Sequence, residues 1–227
     1  MTRLLVLTEG QSEDIFVRTV LAPHLQQQKN AVFVDSILLA GVVPWSKIAK
    51  KLRPLLHEKN SWVTTLLDFY GFPKDMPGYE ICKTTSHPKE QVALLQKQLA
   101  KNVTETFKHA RFIPFLSLHE FEAWLFCDPK KVASHFAENE AHYLAISTAI
   151  DQTVKDSGEP ERINSHKDTH PKARLKSIIP TYKETSDGPI LMKKIGLSTI
   201  RQYCPHFAAW LSQLEALGEK SPSELIP

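Results

Sequence analysis

Apolar and polar positions follow two rhythms along this chain, and the order in which they alternate predicts the fold. Leu4–Leu7 is a short continuous apolar run, the mark of a strand buried on both faces, and it ends on Glu9 and Gly10. Ser12 follows as a candidate helix cap, with Glu13 and Asp14 in the first turn and Ile15, Phe16, Val20 and Leu21 at helical spacing. Pro23 is expected to end or kink that helix. AVFVDSILLAG, rich in β-branched residues and stopped by Gly41, predicts a second strand. In WSKIAKKLRPLLHE, Trp45, Ile48, Leu52, Leu55 and Leu56 form a helical stripe, with Lys47, Lys50, Lys51 and Arg53 mostly on the polar side and Pro54 expected to kink or shorten the helix. Val63–Leu67 reads as a third buried strand that ends on Asp68 and breaks into a Pro/Gly loop. HPKEQVALLQKQLAKNV is an amphipathic helix opened by Pro88. RFIPFLSL, a fourth strand, runs straight into HEFEAWLFCDP.

The order βαβαβαβ predicts an α/β fold: a Rossmann-like core with a mainly parallel four-stranded sheet, right-handed crossovers and flanking helices. From about Asp128 the texture changes to helical patterns and a polar, proline-bearing stretch, Asp156–Pro189. IGLSTIRQYCPHFAAWLSQLE then reads as two short helices broken near Pro205. The expected division is an α/β core over 1–128 and a helical C-terminal extension packed on it over 129–227.

Composition narrows the class. With 227 residues, 42% hydrophobic and 23% charged, the chain suits one domain with an extension or two small ones, of ordinary soluble type. No apolar stretch approaches the roughly 18–20 residues a spanning helix needs, and the N-terminus enters a strand pattern without a cleavable signal, so a cytoplasmic protein is expected, with no membrane partner. Cys82, Cys127 and Cys204 are far apart and form no C-x-x-C pair, so neither a disulfide framework nor a cysteine zinc site is expected. A net charge of +3 permits contact with nucleic acid without demanding it.

The candidate chemistry lies at strand ends. Open α/β sheets bind ligands outside the carboxyl ends of their strands, where Glu9 and Asp68 fall. Two carboxylates meeting there repel each other and favour a shared proton or a divalent cation, with Mg²⁺ the natural choice. The alternative is that each acid merely caps the turn or helix after it. In HEFEAWLF, a helical reading puts Leu118, Phe121, Leu125 and Phe126 on an apolar face with Glu122 inside it and Glu120 pointing nearly the other way. A carboxylate buried in such a face is costly unless paired or metal-bound, so Glu122 either ligates a cation or pairs with a Lys or Arg.

Weaker signals surround these. His119 reads as a proton shuttle or a structural histidine. His166 and His170 have a zinc-like spacing, but Pro171 follows at once and no acidic third ligand is patterned nearby. Arg162, Lys167, Lys172, Arg174 and Lys176 form a basic run adequate for phosphate contacts. No Walker-type glycine loop is present, so the chain itself is not expected to hydrolyse ATP.

LTEGQSE, LLDFYGFP, SLHEFEAWLFCDP and SDGPILMKKIGL…CPHFAAWL together resemble the bacterial domain-of-unknown-function family 4276, in the Toprim superfamily of topoisomerases, primases and old-type nucleases. The resemblance covers nearly the whole chain. It implies a Toprim-like core in which a Glu after the first strand and a D-x-D after the third hold Mg²⁺ (or Mn²⁺) for strand cleavage or nucleotidyl transfer. Glu9 matches the former and Asp68 the first Asp of the latter, while Tyr70 stands where the second Asp belongs. An acid from elsewhere is then expected to complete the set: Glu122, with Glu120 as second ligand or general base only if the turn is irregular. Gly10, Glu13, Tyr70, Gly71, His119, Arg162 and Arg174 are expected to line or bind at the site.

The leading expectation is a Mg²⁺-dependent nuclease or nuclease-like subunit acting on nucleic acid. What the resemblance adds is an ATPase partner of the AAA or ABC type and a role in defence against foreign DNA such as phage. The rival, favoured by Tyr70, is a catalytically silent Toprim domain that binds nucleic acid or regulates the ATPase. A phospho-receiver shares acids at the first and third strand ends but needs a Lys after a fifth strand that the sequence does not offer. DNA versus RNA, and assembly into a homo-oligomer, stay open.

Overall fold

The first apolar run forms β1 (Thr2–Thr8), and β2 (Val32–Leu38) and β3 (Ser61–Asp68) pair with it on either side, both in parallel. These strands come from a computed structural model that describes residues 2–41, 44–58, 60–108, 111–163 and 168–218. The chain makes two compact units: the first runs to Leu118 and takes up the chain again from Ser212, and the second is His119–Leu211. The fold is α/β, with a parallel sheet flanked by helices.

The expected fourth strand is split into β4 (Phe112–Ile113) and β5 (Leu116–Ser117), both parallel to β3, and the sheet order is β2-β1-β3-β4. Pro114 causes the break, because it has no N–H to give to a ladder. Two threonines of β3 bridge the gap with their side chains. Thr64 Oγ1 donates to the Ile113 carbonyl at 2.6 Å, while Thr65 Oγ1 donates to the Phe115 carbonyl (2.8 Å) and accepts from the Phe115 N–H (2.9 Å). That exchange explains two fully buried hydroxyls in an otherwise apolar strand.

The helix after β1 begins one turn's edge earlier than its sequence suggests: α1 (Gln11–Phe16) has Gly10 at its N-cap, and Ser12 is buried rather than capping. Pro23 does not end it. A π-helical turn, Val17–Leu21, carries α1 into α2 (Ala22–Gln26), so the hydrogen bond that Pro23 cannot make falls where the ladder is already wider. α3 (Trp45–Leu56) likewise runs two residues past Pro54. α4 (Tyr79–Cys82) is short, and α5 (Pro88–Phe107) follows with Pro88 in its first turn. One face of the sheet, through Leu5, Leu7, Val63 and Leu67, shares a core with Ile48, Leu52 and Leu56 of α3 and Val92, Leu95, Leu99 and Val103 of α5. Those helical residues recur at three- and four-residue steps, as one buried stripe requires. From Ser212 the chain rejoins this unit, where Glu215 Oε1 lies 2.7 Å from His24 Nε2.

The second unit is helical: α6 (Pro129–Phe136), α7 (Glu140–Ser157), α8 (Pro171–Ile178), α9 (Glu184–Ile195), α10 (Leu197–Tyr203) and α11 (Pro205–Ala216), the last of which ends beyond it. Its hub is Phe121–Cys127, which forms a 3₁₀ helix rather than the expected α-helix, with every residue buried. α6, α7, α8, α9 and α10 all pack against it. α9 comes close because Gly188 has no side chain; a Cβ there would sit 3.0 Å from the Tyr182 hydroxyl and 3.2 Å from the Phe121 ring. HEFEAWLFCD lies in the second unit. Among the described residues no helix is long and apolar enough to cross a membrane.

Candidate functional site

Glu9 and Asp68 end neighbouring parallel strands, so the register of β1 on β3 alone puts them on one rim. They are joined directly: Glu9 Oε2 accepts from the Asp68 backbone N–H at 3.0 Å. The Glu9 main chain is fixed on both sides, donating to the Leu66 carbonyl (3.2 Å) and accepting from the Gly41 N–H (2.8 Å). Both side chains are half-buried and line one pocket with Leu39, Gly41, Ile48, Leu67, Gly71, Phe72 and Pro73. The pocket is small and open at its mouth. Its interior has room for about one water or ion. Two oxygen ligands beside room for water are what Mg²⁺ commonly takes from a protein, so the donor set fits that ion.

The residues around this rim divide. Gly10 donates its N–H to Glu13 Oε2 at 3.0 Å, and a Cβ on Gly10 would lie 2.8 Å from that oxygen, which is why a glycine follows Glu9. Glu13, 6% exposed, is folded back on the start of its own helix. Gly71 lines the pocket. The Tyr70 ring, in the same loop, stands 49% exposed, edge-on to Phe69 with centroids 5.0 Å apart. Missed from sequence was Lys51, whose ammonium donates to the Leu38 carbonyl at 2.6 Å and so stands at the carboxyl end of β2. Only the sheet order, which seats β2 beside β1, reveals it.

In the second unit, Glu120 is the residue before the 3₁₀ helix, and its carboxylate accepts from His170 Nδ1 (2.7 Å) and the Lys172 N–H (3.0 Å), with Lys172 Nζ 3.7 Å away. Lys172 Nζ also pairs with Glu184 at 2.9 Å. Glu122 is 1% exposed and accepts from the Tyr182 hydroxyl at 3.3 Å. Burial pushes its carboxyl up to about 8, against the pull of Lys172. Burial alone would lower Lys172, yet Glu122, Glu184 and Glu120 hold it above the ordinary lysine range. Below pH 8 Glu122 keeps its proton, so at neutral pH Lys172 faces the charges of Glu120 and Glu184. His119 is buried, and burial pushes it down to about 4, the hydrogen bond to the Glu161 main chain offsetting only part; it is neutral at pH 7.

Three members of the basic run expected to meet phosphates are engaged locally. Arg162 pairs with Glu159 at 3.1 Å, Arg174 donates to the Thr169 carbonyl at 2.7 Å, and Lys172 is held as above. His166 and Lys167 lie outside the described residues. Glu161, which sequence reasoning passed over, is 4% exposed and accepts from the N–H groups of His206 (2.8 Å) and Phe207 (2.9 Å), satisfying the start of α11. Its partners are forty-odd positions away, so no local pattern reveals it. Among the described residues no three His, Cys, Asp or Glu side chains gather as ligands for one ion.

Fold and rim together define an α/β protein with paired acids at the carboxyl ends of adjacent parallel strands. The chain belongs to the family described as Domain of unknown function (DUF4276), whose model matches residues 8–215. Among solved structures it is similar to the C-terminal region of the Burkholderia pseudomallei OLD protein, at 16% identity and TM-score 0.47 over 96% of this chain and 99% of that one. It is also similar to the C-terminal region of the Xanthomonas campestris pv. campestris OLD protein, at 16% identity and TM-score 0.42 over 93% of this chain and 95% of that one. No curated protein matches it.

Proposed function

We propose that this protein is a Toprim-type, divalent-metal-dependent nuclease or nuclease-like subunit acting on nucleic acid phosphodiesters. The observation that carries the reading is the Glu9–Asp68 pair, fixed on one rim by the Glu9–Asp68 hydrogen bond and lining one small open pocket. Glu9 and Asp68 would hold Mg²⁺ or Mn²⁺, which when bound supplies charge neutralisation at a phosphoryl group and a more acidic water. The chain's own residues do the rest. Asp68 N–H orients the Glu9 carboxylate, and the Gly41 and Leu66 bonds keep the turn from moving as charge approaches.

A second reading has its own support. Glu120 is engaged by His170 and Lys172, and Tyr70 stands in place of an acid, so a domain that binds nucleic acid or regulates a partner ATPase without cutting is the rival. A plasmid-nicking assay in Mg²⁺ or Mn²⁺ separates the two, with calorimetric Mg²⁺ titration beside it. Nicking and metal binding that both disappear in Glu9→Gln and Asp68→Asn support the first. Metal-independent cutting, or cutting at the native rate in both variants, sinks it, and binding of nucleic acid without cutting selects the second.

A further inference from the structure

α3 carries Lys47, Lys50, Lys51 and Arg53 and no acid within its twelve residues. Its buried stripe is fixed by Ile48, Leu52 and Leu56, so those cations have to face outward, and all four are exposed. Lys47 and Lys50 are three apart, Lys47 and Lys51 four apart, and Lys50 and Arg53 three apart, so like charges meet at each helical contact distance. Each such pair opposes the helix by a few tenths of a kcal/mol on general grounds, and folding alone gives no reason to accumulate them. A polyanion lying along the face would turn the repulsion into attraction. Arg53 already stands over the Phe107 ring, at 5.7 Å. Among the described residues, Lys47 and Lys50 make no ion pair.

Position gives this face a purpose. Ile48 lines the same pocket as Glu9 and Asp68, and Lys51 reaches the carboxyl end of β2. Across the pocket lies the loop after β3, which exposes Tyr70 and Lys74 and is tied to the start of α3 by Asp75, whose Oδ1 accepts from the Trp45 N–H at 3.1 Å. The acidic pair thus sits between a lysine-bearing helix and a loop with an exposed aromatic ring. We propose that a single nucleic-acid strand crosses the first unit here, with phosphates on Lys47, Lys50 and Lys51 and a base stacked on Tyr70. A single strand is specified because its bases offer π-faces to an exposed ring, whereas those of a duplex are taken by their neighbours. This rests on the reading of Glu9 and Asp68 as the centre that faces phosphate.

The test is fluorescence anisotropy of a fluorescein-labelled oligothymidine in EDTA over a range of salt. Leaving out metal makes the result independent of whether the rim holds Mg²⁺ or cuts: a failed nicking assay leaves it standing, and its failure leaves nicking untouched. The triple variant Lys47→Gln, Lys50→Gln, Lys51→Gln should bind about tenfold or more weakly at low salt. Its log–log salt slope should fall by about 2, at roughly 0.7 per phosphate contact on single strands. Tyr70→Ala should weaken binding about fivefold or more and leave the slope unchanged. Unchanged binding in either variant, an equal loss in Arg162→Gln of the second unit, or no binding by the native protein overturns the proposal.

Discussion

Replacing Glu122 by Gln should stabilise this protein at neutral pH, although it removes a hydrogen-bonding carboxyl from the centre of the second unit. The carboxyl is 1% exposed, and burial raises it from an ordinary 4.5 to about 8. Between those values the unfolded chain has released the proton and the folded chain still holds it, so the folded state binds more protons and its stability falls as pH rises. The contribution is intact below pH 4.5 and lost by about pH 8. At about 1.4 kcal/mol per pH unit the full loss is roughly 5 kcal/mol, and about 3 kcal/mol of it has gone by pH 7. Glutamine has the same shape, does not ionise and can still meet the Tyr182 hydroxyl. Urea unfolding of both proteins at pH 5, 7 and 8.5 measures the difference directly, since every other titrating group cancels in the comparison. The Gln variant should be close to native at pH 5 and more stable by several kcal/mol at pH 8.5. Parallel stability curves, or a variant less stable at every pH, would show that Lys172 holds Glu122 ionised and that its attraction outweighs burial.

Two further substitutions test the fold around the rim. Thr65→Val keeps volume but removes both hydrogen bonds between the Thr65 hydroxyl and the Phe115 main chain beside Pro114, so chemical denaturation should show a loss of about 2–4 kcal/mol, with Thr65→Ser recovering much of it. Gly10→Ala pushes a methyl to 2.8 Å from Glu13 Oε2 and so breaks the bond that closes the start of α1. A cost of about 1 kcal/mol or more is expected; because Glu13→Ala removes the obstacle, the double variant should lose less than the sum, and strict additivity would refute the clash.

The sequence by itself determined the layered part of this protein. Short apolar runs bounded by Gly, Pro and acids read as buried strands, and their alternation with the amphipathic stripes of α3 and α5 gives the parallel α/β order from local pattern. The rim followed too, because residues that end strands of one parallel sheet share an edge whatever the rest of the chain does. Burial of Glu122 was legible from its apolar neighbours, but not its surroundings. The 3₁₀ path of Phe121–Cys127 was not legible, because a segment buried on every side offers no amphipathic period from which to read its helix type. Lys172, Tyr182 and Glu184 come to Glu122 from positions fifty or more residues onward, and Glu161 reaches α11 across more than forty. Pro114 was visible in the sequence, but only the pairing of β3 beside it shows that Thr64 and Thr65 supply the bonds it cannot make. Periodicity reports which side of an element is buried; which side chains meet there depends on how distant segments pack, and that packing alone decided where each carboxyl and ammonium found its partner.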